Sequence, residues 1–178
     1  MTWKWHTDWL RQKKKMGNRT RIGIGYDVHP LASNRKLILG GVTIPFEKGL
    51  DGWSDADVLI HAIMDALLGA AALGDIGTHF PPGQLEYKNI SSLALLTRVK
   101  KLLDGNHWKI GNVDVMIMAE APKLQYYMEN MTRNITVALA LTPSDVSLKA
   151  STAEKMGFIG RGEGIAVEAI ALIESTVE

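Results

Sequence analysis

A chain of 178 residues with 46% hydrophobic content is sized for one domain with a real core, and its net charge is +1. It has no cysteine, which excludes disulfides, thiolate nucleophiles and sulfur-ligated zinc, so any metal must be held by nitrogen and oxygen. No apolar run approaches the ~18 residues of a membrane span, and a soluble, cytoplasmic protein with no membrane partner is expected.

Charge is unevenly spread. Residues 1–20 carry six bases (Lys4, Arg11, Lys13, Lys14, Lys15, Arg19) against Asp8, a balance of +5, which leaves −4 on the remainder. A mildly acidic body argues against a nucleic-acid partner. The same twenty residues hold Trp3, Trp5 and Trp9 and are read as an N-terminal extension: either an added tail with the natural start at Met16, or a segment that touches an anionic surface. They have too few apolar residues for a secretory signal and too little serine for a transit peptide. Residues 21–178 are expected to be the domain proper.

From Arg21 to His29 the sequence alternates. Ile22, Ile24, Tyr26 and Val28 fall on one side, and Gly23, Gly25, Asp27 and His29 on the other, as in a half-buried strand. Asp27 and His29 then project together from a face that the glycines leave uncrowded. Leu37–Leu39 and Val42–Ile44 flank Gly40-Gly41, which reads as a tight hairpin ended by Pro45. Ser54-Asp55-Ala56-Asp57 has capping-box spacing and predicts a helix from Asp55 to about Leu73. One stripe of that helix is Asp57, His61 and Asp65. Residues 74–90 read as a long irregular loop, of the kind that is functional or mobile.

Ser91 caps a second predicted helix, with Leu93, Leu96, Val99 and Leu103 inward, which stops at Asp104-Gly105-Asn106. Val113–Met118 reads as a buried strand and a third helix runs to about Leu141. Thr142–Asp145 is a turn, and Val146–Ala150 and Ile165–Ile173 are further strands. There is no internal repeat.

His61 is the natural third partner of Asp27 and His29. Two histidines and a carboxylate make a catalytic metal pattern with an open fourth position. The alternative is a hydrogen-bonded histidine beside an Asp-Val-His triplet met by chance. The same donor set describes the facial triad of non-haem iron oxygenases. Lys149 to Lys155, followed by Gly157, Gly160-Arg161-Gly162 and Gly164, offers hydroxyls, backbone donors and cations to phosphate oxygens. Within it a lone carboxylate, Glu154, suits phosphate-ligated Mg²⁺; the plain alternative is an exposed loop. The N-terminus of the helix after Ser54 is a second candidate anion site.

Taken in order, Gly25-Tyr26-Asp27-Val28-His29, Gly40 to Pro45, Ser54-Asp55-Ala56-Asp57-Val58 with His61, Asp65 to Ala70, Gly74-Asp75-Ile76-Gly77 and Glu154-Lys155-Met156-Gly157-Phe158 through Gly164 resemble the 2-C-methyl-D-erythritol 2,4-cyclodiphosphate synthase family of the non-mevalonate isoprenoid pathway. The likeness spans Arg21 to the C-terminus. It implies an α+β single domain with a mixed four-stranded sheet backed by helices. It also implies a homotrimer with sites at subunit interfaces.

The implied activity is that of a phosphorus-oxygen lyase acting on 4-diphosphocytidyl-2-C-methyl-D-erythritol 2-phosphate. Its 2-phosphate attacks the β-phosphorus and CMP leaves. Carried over by residue, Asp27, His29 and His61 hold one zinc per subunit, and Glu154 holds Mg²⁺ or Mn²⁺ with the diphosphate. Ser54 and Thr152 contact phosphate oxygens, with Ser151 and Ala153 beside them. Asp75, Ile76, Gly77, Phe80 and Gln84 face the erythritol. Ala119, Glu120, Ala121, Pro122, Lys123, Leu124 and Gln125 bind the cytidine diphosphate end from a neighbouring subunit.

Phe158, Arg161 and Glu163 match a central cavity that takes isoprenoid diphosphates, and a catalytically idle sensor of such compounds is the remaining rival reading. The chain departs from the family at Trp53, where many members have a histidine beside the transferring phosphate. Phe80 to Gln84 lacks the aspartates common in that loop, and Ser151 and Ala153 replace threonines.

Overall fold

The computed structural model describes residues 19–177. The reading of residues 1–18 as an extension, with its Met16 start, lies outside the described residues. In chain order the elements are β1 (Thr20–Ala32), β2 (Leu37–Leu39), β3 (Val42–Ile44), β4 (Gly49–Leu50), α1 (Val58–Ala71), the single-turn α2 (Ile76–His79) and α3 (Ser92–Gly105). They continue with β5 (Trp108–Met118), α4 (Met128–Leu139), β6 (Val146–Ser151), the single-turn α5 (Gly157–Gly160) and β7 (Gly164–Ser175).

The main sheet has the order β4-β1-β7-β5-β6. β1 and β5 flank β7 antiparallel, while β5 and β6 run parallel. The α+β, mixed-sheet expectation therefore holds with five strands rather than four. The extra strand is the two-residue β4, paired with Leu31 and Ala32; two residues are too few to leave a period in the sequence. β2 and β3 form the expected hairpin, with Gly40 and Gly41 at φ 56° and 70°, the conformation that two-residue turns of this kind require.

The strand pattern of β1 is real, and its apolar side is the outward one. Ile22 and Ile24 are 72% and 69% exposed, and Tyr26 is 51% exposed. The glycine side is the one that meets α1. A Cβ on Gly23 would lie 2.1 Å from the Ala66 carbonyl oxygen, and one on Gly25 would lie 2.0 Å from that of Ala62. The glycines therefore let a helix lie flush on the strand, rather than leaving that face uncrowded. Beneath them α1 buries Leu59, Ile60, Ile63, Met64, Leu67 and Leu68 completely.

The start of α1 also differs from expectation. Ala56 sits at φ 56°, which interrupts the run from Asp55, and the cap is Asp57, whose carboxylate accepts the Ile60 N–H. Ser54 instead accepts the Ala56 N–H. Left-handed Ala72 and Ala140 stop α1 and α4 about two residues early. The 74–90 segment is partly ordered into α2 and a 3₁₀ turn at Leu85–Tyr87. Ser91 precedes α3 without a side-chain capping bond.

Asp57 is wholly buried and also accepts the N–H groups of Gly40 and Gly41 at 3.0 and 2.7 Å, tying the hairpin to α1. Burial, helped by the charge of Asp55, pushes its pKa up to about 6 against the pull of these N–H donors. The folded state thus binds this proton more tightly than the unfolded chain. The resulting stability is full below the ordinary value of 3.8 and is lost as pH rises through about 6. Between pH 7 and pH 4.5 the wild type is expected to gain about 2 kcal/mol relative to Asp57→Asn. Urea midpoints of both proteins at the two pH values measure this, and parallel pH dependences would refute it.

Candidate metal centre and its surroundings

β1 and α1 bring the three predicted donors together. The Oδ2 atom of Asp27 lies 2.9 Å from His61 Nδ1 and 3.1 Å from His29 Nε2, and one donor atom from each residue falls within 4.8 Å of the others. The rings of His29 and His61 sit 5.5 Å apart, tilted by 56°. Alternation along β1 aims Asp27 and His29 at the same side, and the flush approach of α1 delivers His61 there.

The remaining ring nitrogens decide what these donors can do. His29 Nδ1 is 2.6 Å from the Asp51 carbonyl oxygen, which can only accept, so Nδ1 carries the hydrogen and Nε2 turns a lone pair toward Asp27. His61 Nε2 meets the hydroxyl of Ser92 at 2.9 Å and that of Ser54 at 3.2 Å. The Ser92 hydroxyl is itself spent on the Asp55 carboxylate at 2.5 Å. Nε2 therefore donates, and Nδ1 presents a lone pair. With neutral imidazoles, three acceptor atoms converge on one point, an arrangement that a cation among them would balance.

Protons on the two imidazoles compete with an ion for the same point. Burial acts to raise the Asp27 pKa, yet the hydrogen bonds and charges of His29 and His61 hold it far below the usual carboxylate range. Burial acts to lower His29, but the Asp27 carboxylate and the Asp51 carbonyl raise it. Asp65, the third member of the helix stripe, accepts the Ile76 N–H at 2.8 Å and so anchors α2 beside the site. Its pKa is raised, chiefly by burial.

A cavity of about 260 Å³ opens onto the triad, walled by Trp53, Ser54, Ile76, Gly77 and Phe80. The Trp53 indole N–H donates to the Gln84 carbonyl oxygen at 3.0 Å, so this side chain spans the cavity rim. Phe80 packs edge-on against Tyr87, with centroids 5.7 Å apart. Asp75 is exposed and caps α2 through the Thr78 N–H.

The other predicted residues lie elsewhere on the chain. A hollow of about 450 Å³ is lined by Ala119, Glu120, Pro122, Lys123, Leu124 and Gln125 on one side and by Ser151 and Thr152 on the other. The Thr152 hydroxyl donates to Glu154 at 2.6 Å, and the Ala153 N–H to Glu120 at 3.2 Å. Within one chain, Thr152 and Glu154 thus stand apart from the Asp27 cavity. Ala121 and Arg161 border a third hollow. Arg161 is forked onto Glu163 at 2.8 and 3.0 Å, and Phe158 is partly exposed. Sequence reasoning missed Asp51, Asp55 and Ser92 as partners of the histidines. The first acts through its backbone, and the other two look like ordinary residues at helix starts.

The family model described as YgbB matches residues 20–174. A 2-C-methyl-D-erythritol 2,4-cyclodiphosphate synthase from Chlorobium phaeobacteroides is 58% identical over 86% of this chain and 98% of its own length. One from Clostridium botulinum is 56% identical over 86% of this chain and 99% of its own. Among solved structures, the bifunctional IspDF of Campylobacter jejuni matches with a TM-score of 0.86 at 40% identity, covering 89% of this chain and 43% of that longer one. IspF of Plasmodium falciparum in its CDP complex matches with a TM-score of 0.79 at 34% identity, over 91% of this chain and all of that one. A match this long, at this identity and on this fold, makes the chain a member of the YgbB family, the 2-C-methyl-D-erythritol 2,4-cyclodiphosphate synthases, and a lyase.

Proposed function

We propose that the chain converts 4-diphosphocytidyl-2-C-methyl-D-erythritol 2-phosphate into 2-C-methyl-D-erythritol 2,4-cyclodiphosphate and CMP. The observation that carries this is the convergence of three donor atoms, from Asp27, His29 and His61, at the mouth of a cavity. A new bond forms between a 2-phosphate oxygen and the β-phosphorus, the bond from that phosphorus to the α-phosphate oxygen breaks, and CMP carries away the electron pair. The attacking group is already an anion, so no protein nucleophile or strong base is needed, in keeping with a chain that lacks cysteine.

Catalysis is then positioning and charge neutralisation. Asp27, His29 and His61 would hold zinc and Glu154 would hold Mg²⁺ or Mn²⁺; bound there, these ions polarise the phosphoryl oxygens and offset their charge. Ser54 offers a hydroxyl beside His61. Trp53 contributes a wall and no imidazole contact. Ile76, Gly77 and Phe80 enclose the erythritol end, with Asp75 and Gln84 at the rim. The hollow from Ala119 to Gln125 takes the cytidine diphosphate, with Thr152 toward the phosphates; the CDP held by the Plasmodium falciparum relative supports this.

The outward apolar stripe of Ile22, Ile24, Tyr26 and Val28, with Ile170 half exposed beside it, supports a homotrimer in which other copies cover the sheet. Such an assembly is how Thr152 and Lys123 of one subunit would reach the triad of another. Phe158, Arg161 and Glu163 would border its central cavity, where an isoprenoid diphosphate would have to compete with Glu163 for the Arg161 guanidinium. Residues 21–178 form the working domain, in the cytoplasm; no described helix is long and apolar enough to cross a membrane. The names of the relatives favour this reading over an iron oxygenase, which would leave Ser151 to Glu154 without a task.

Purified protein given this substrate, Zn²⁺ and Mg²⁺ is expected to release CMP and the cyclic diphosphate, followed by phosphorus NMR. Chelator should stop the reaction and added Zn²⁺ restore it. Substrate left intact by the fully loaded protein would sink the proposal.

A further inference from the structure

We infer that Asp55 and Ser92 are positioning residues of the metal centre: they keep a hydrogen on His61 Nε2, so that Nδ1 is the nitrogen left for an ion. This rests on reading the Asp27, His29 and His61 cluster as a metal site.

The argument follows the hydrogens. An ionised carboxylate only accepts, and Asp55 takes the Ser92 hydroxyl at 2.5 Å on one oxygen and the Ser92 N–H at 2.9 Å on the other. A serine hydroxyl has one hydrogen, and here it is used. What Ser92 turns toward His61 Nε2, 2.9 Å away, is a lone pair. A serine without Asp55 could rotate and donate to that nitrogen instead, which would place the imidazole hydrogen on Nδ1, facing the ion. The charge of Asp55 therefore sets the direction of the relay.

The elements hold it rigidly. Ser92 is fully buried and His61 is buried. Asp55 is fixed from the other side, because its N–H donates to the Ile90 carbonyl oxygen at 3.2 Å. Three separate pieces of chain thus meet at one imidazole: the loop before α1, α1 itself and the first turn of α3. Ligand histidines are commonly oriented by such outer partners, and losing one typically costs 10–100-fold in metal affinity. Ser54, 3.2 Å from the same nitrogen, accepts the Ala56 N–H and completes the surroundings of Nε2 without reaching Asp55.

Cobalt(II) titration followed by its visible absorption, with zinc competition, tests this on the full chain. Ser92→Ala is expected to weaken binding by about 10–100-fold, with near-ultraviolet circular dichroism unchanged and the band positions of the bound cobalt retained, since the ligands themselves remain. Asp55→Asn should also weaken binding. The double variant should be no weaker than Ser92→Ala alone, because Asp55 acts through Ser92. Additive losses would overturn the relay, as would wild-type affinity in Ser92→Ala. If the wild type takes up no stoichiometric metal, the metal reading itself falls; if it does and Ser92→Ala matches it, only this inference falls.

Discussion

Exchange of His61 for alanine is expected to abolish stoichiometric zinc binding and to lower kcat for CMP release by roughly three orders of magnitude. The cause is local. His61 is the one donor of the triad carried by a helix, and its Nδ1 stands 2.9 Å from Asp27 Oδ2. Without it Asp27 and His29 remain on β1 as a two-donor site, too few for a tetrahedral ion that must keep one position for substrate. A fall in kcat rather than a rise in KM alone would place the lost interaction in the transition state. Metal analysis, circular dichroism and single-turnover CMP release on one preparation make the test. Unchanged turnover by a zinc-free, folded His61→Ala would refute the metal role assigned here. Tight binding of substrate without turnover in the zinc-loaded wild type would favour a sensor.

The second large effect is expected from a residue with no chemistry. Gly25→Ala should destabilise the fold by about 3 kcal/mol, read as a lowered urea midpoint. Its Cβ would lie 2.0 Å from the Ala62 carbonyl oxygen and 2.6 Å from the Ala66 nitrogen. Both are backbone atoms of α1, so no rotamer change relieves the clash and the helix must move. Ala62 is the neighbour of His61, so the same displacement should draw that imidazole away from Asp27 and weaken metal binding. An unchanged midpoint would show that α1 shifts at little cost and would undo the packing argument.

These two expectations mark how far the site was legible in the chain. The period of two placed Asp27 and His29 side by side, and the capping signals around Ser54 put His61 on a helix, although the cap proved to be Asp57. The direction in which β1 faces was not legible. Alternation separates two faces without saying which is inward, and the usual rule that the apolar side is buried fails where Ile22 and Ile24 lie outside. Glycines opposite them carried the answer, since only a closely approaching backbone requires two missing Cβ atoms on one face. Asp55 and Ser92 were unreadable for another reason: residues 37 positions apart meet only through the docking of α3 on the loop before α1.

The sequence by itself determined the local periods, the turn at Gly40-Gly41, the donor types available to a metal and, through the order of its motifs, the family. Those properties depend on neighbours a few positions apart. Tertiary structure alone decided which face of β1 is covered, which nitrogen of each histidine is left for an ion, and that Thr152 with Glu154 stands in a different hollow from the triad. Each of these depends on the distance between groups far apart in the chain, which is set by how closely helix and sheet pack and which no local pattern encodes.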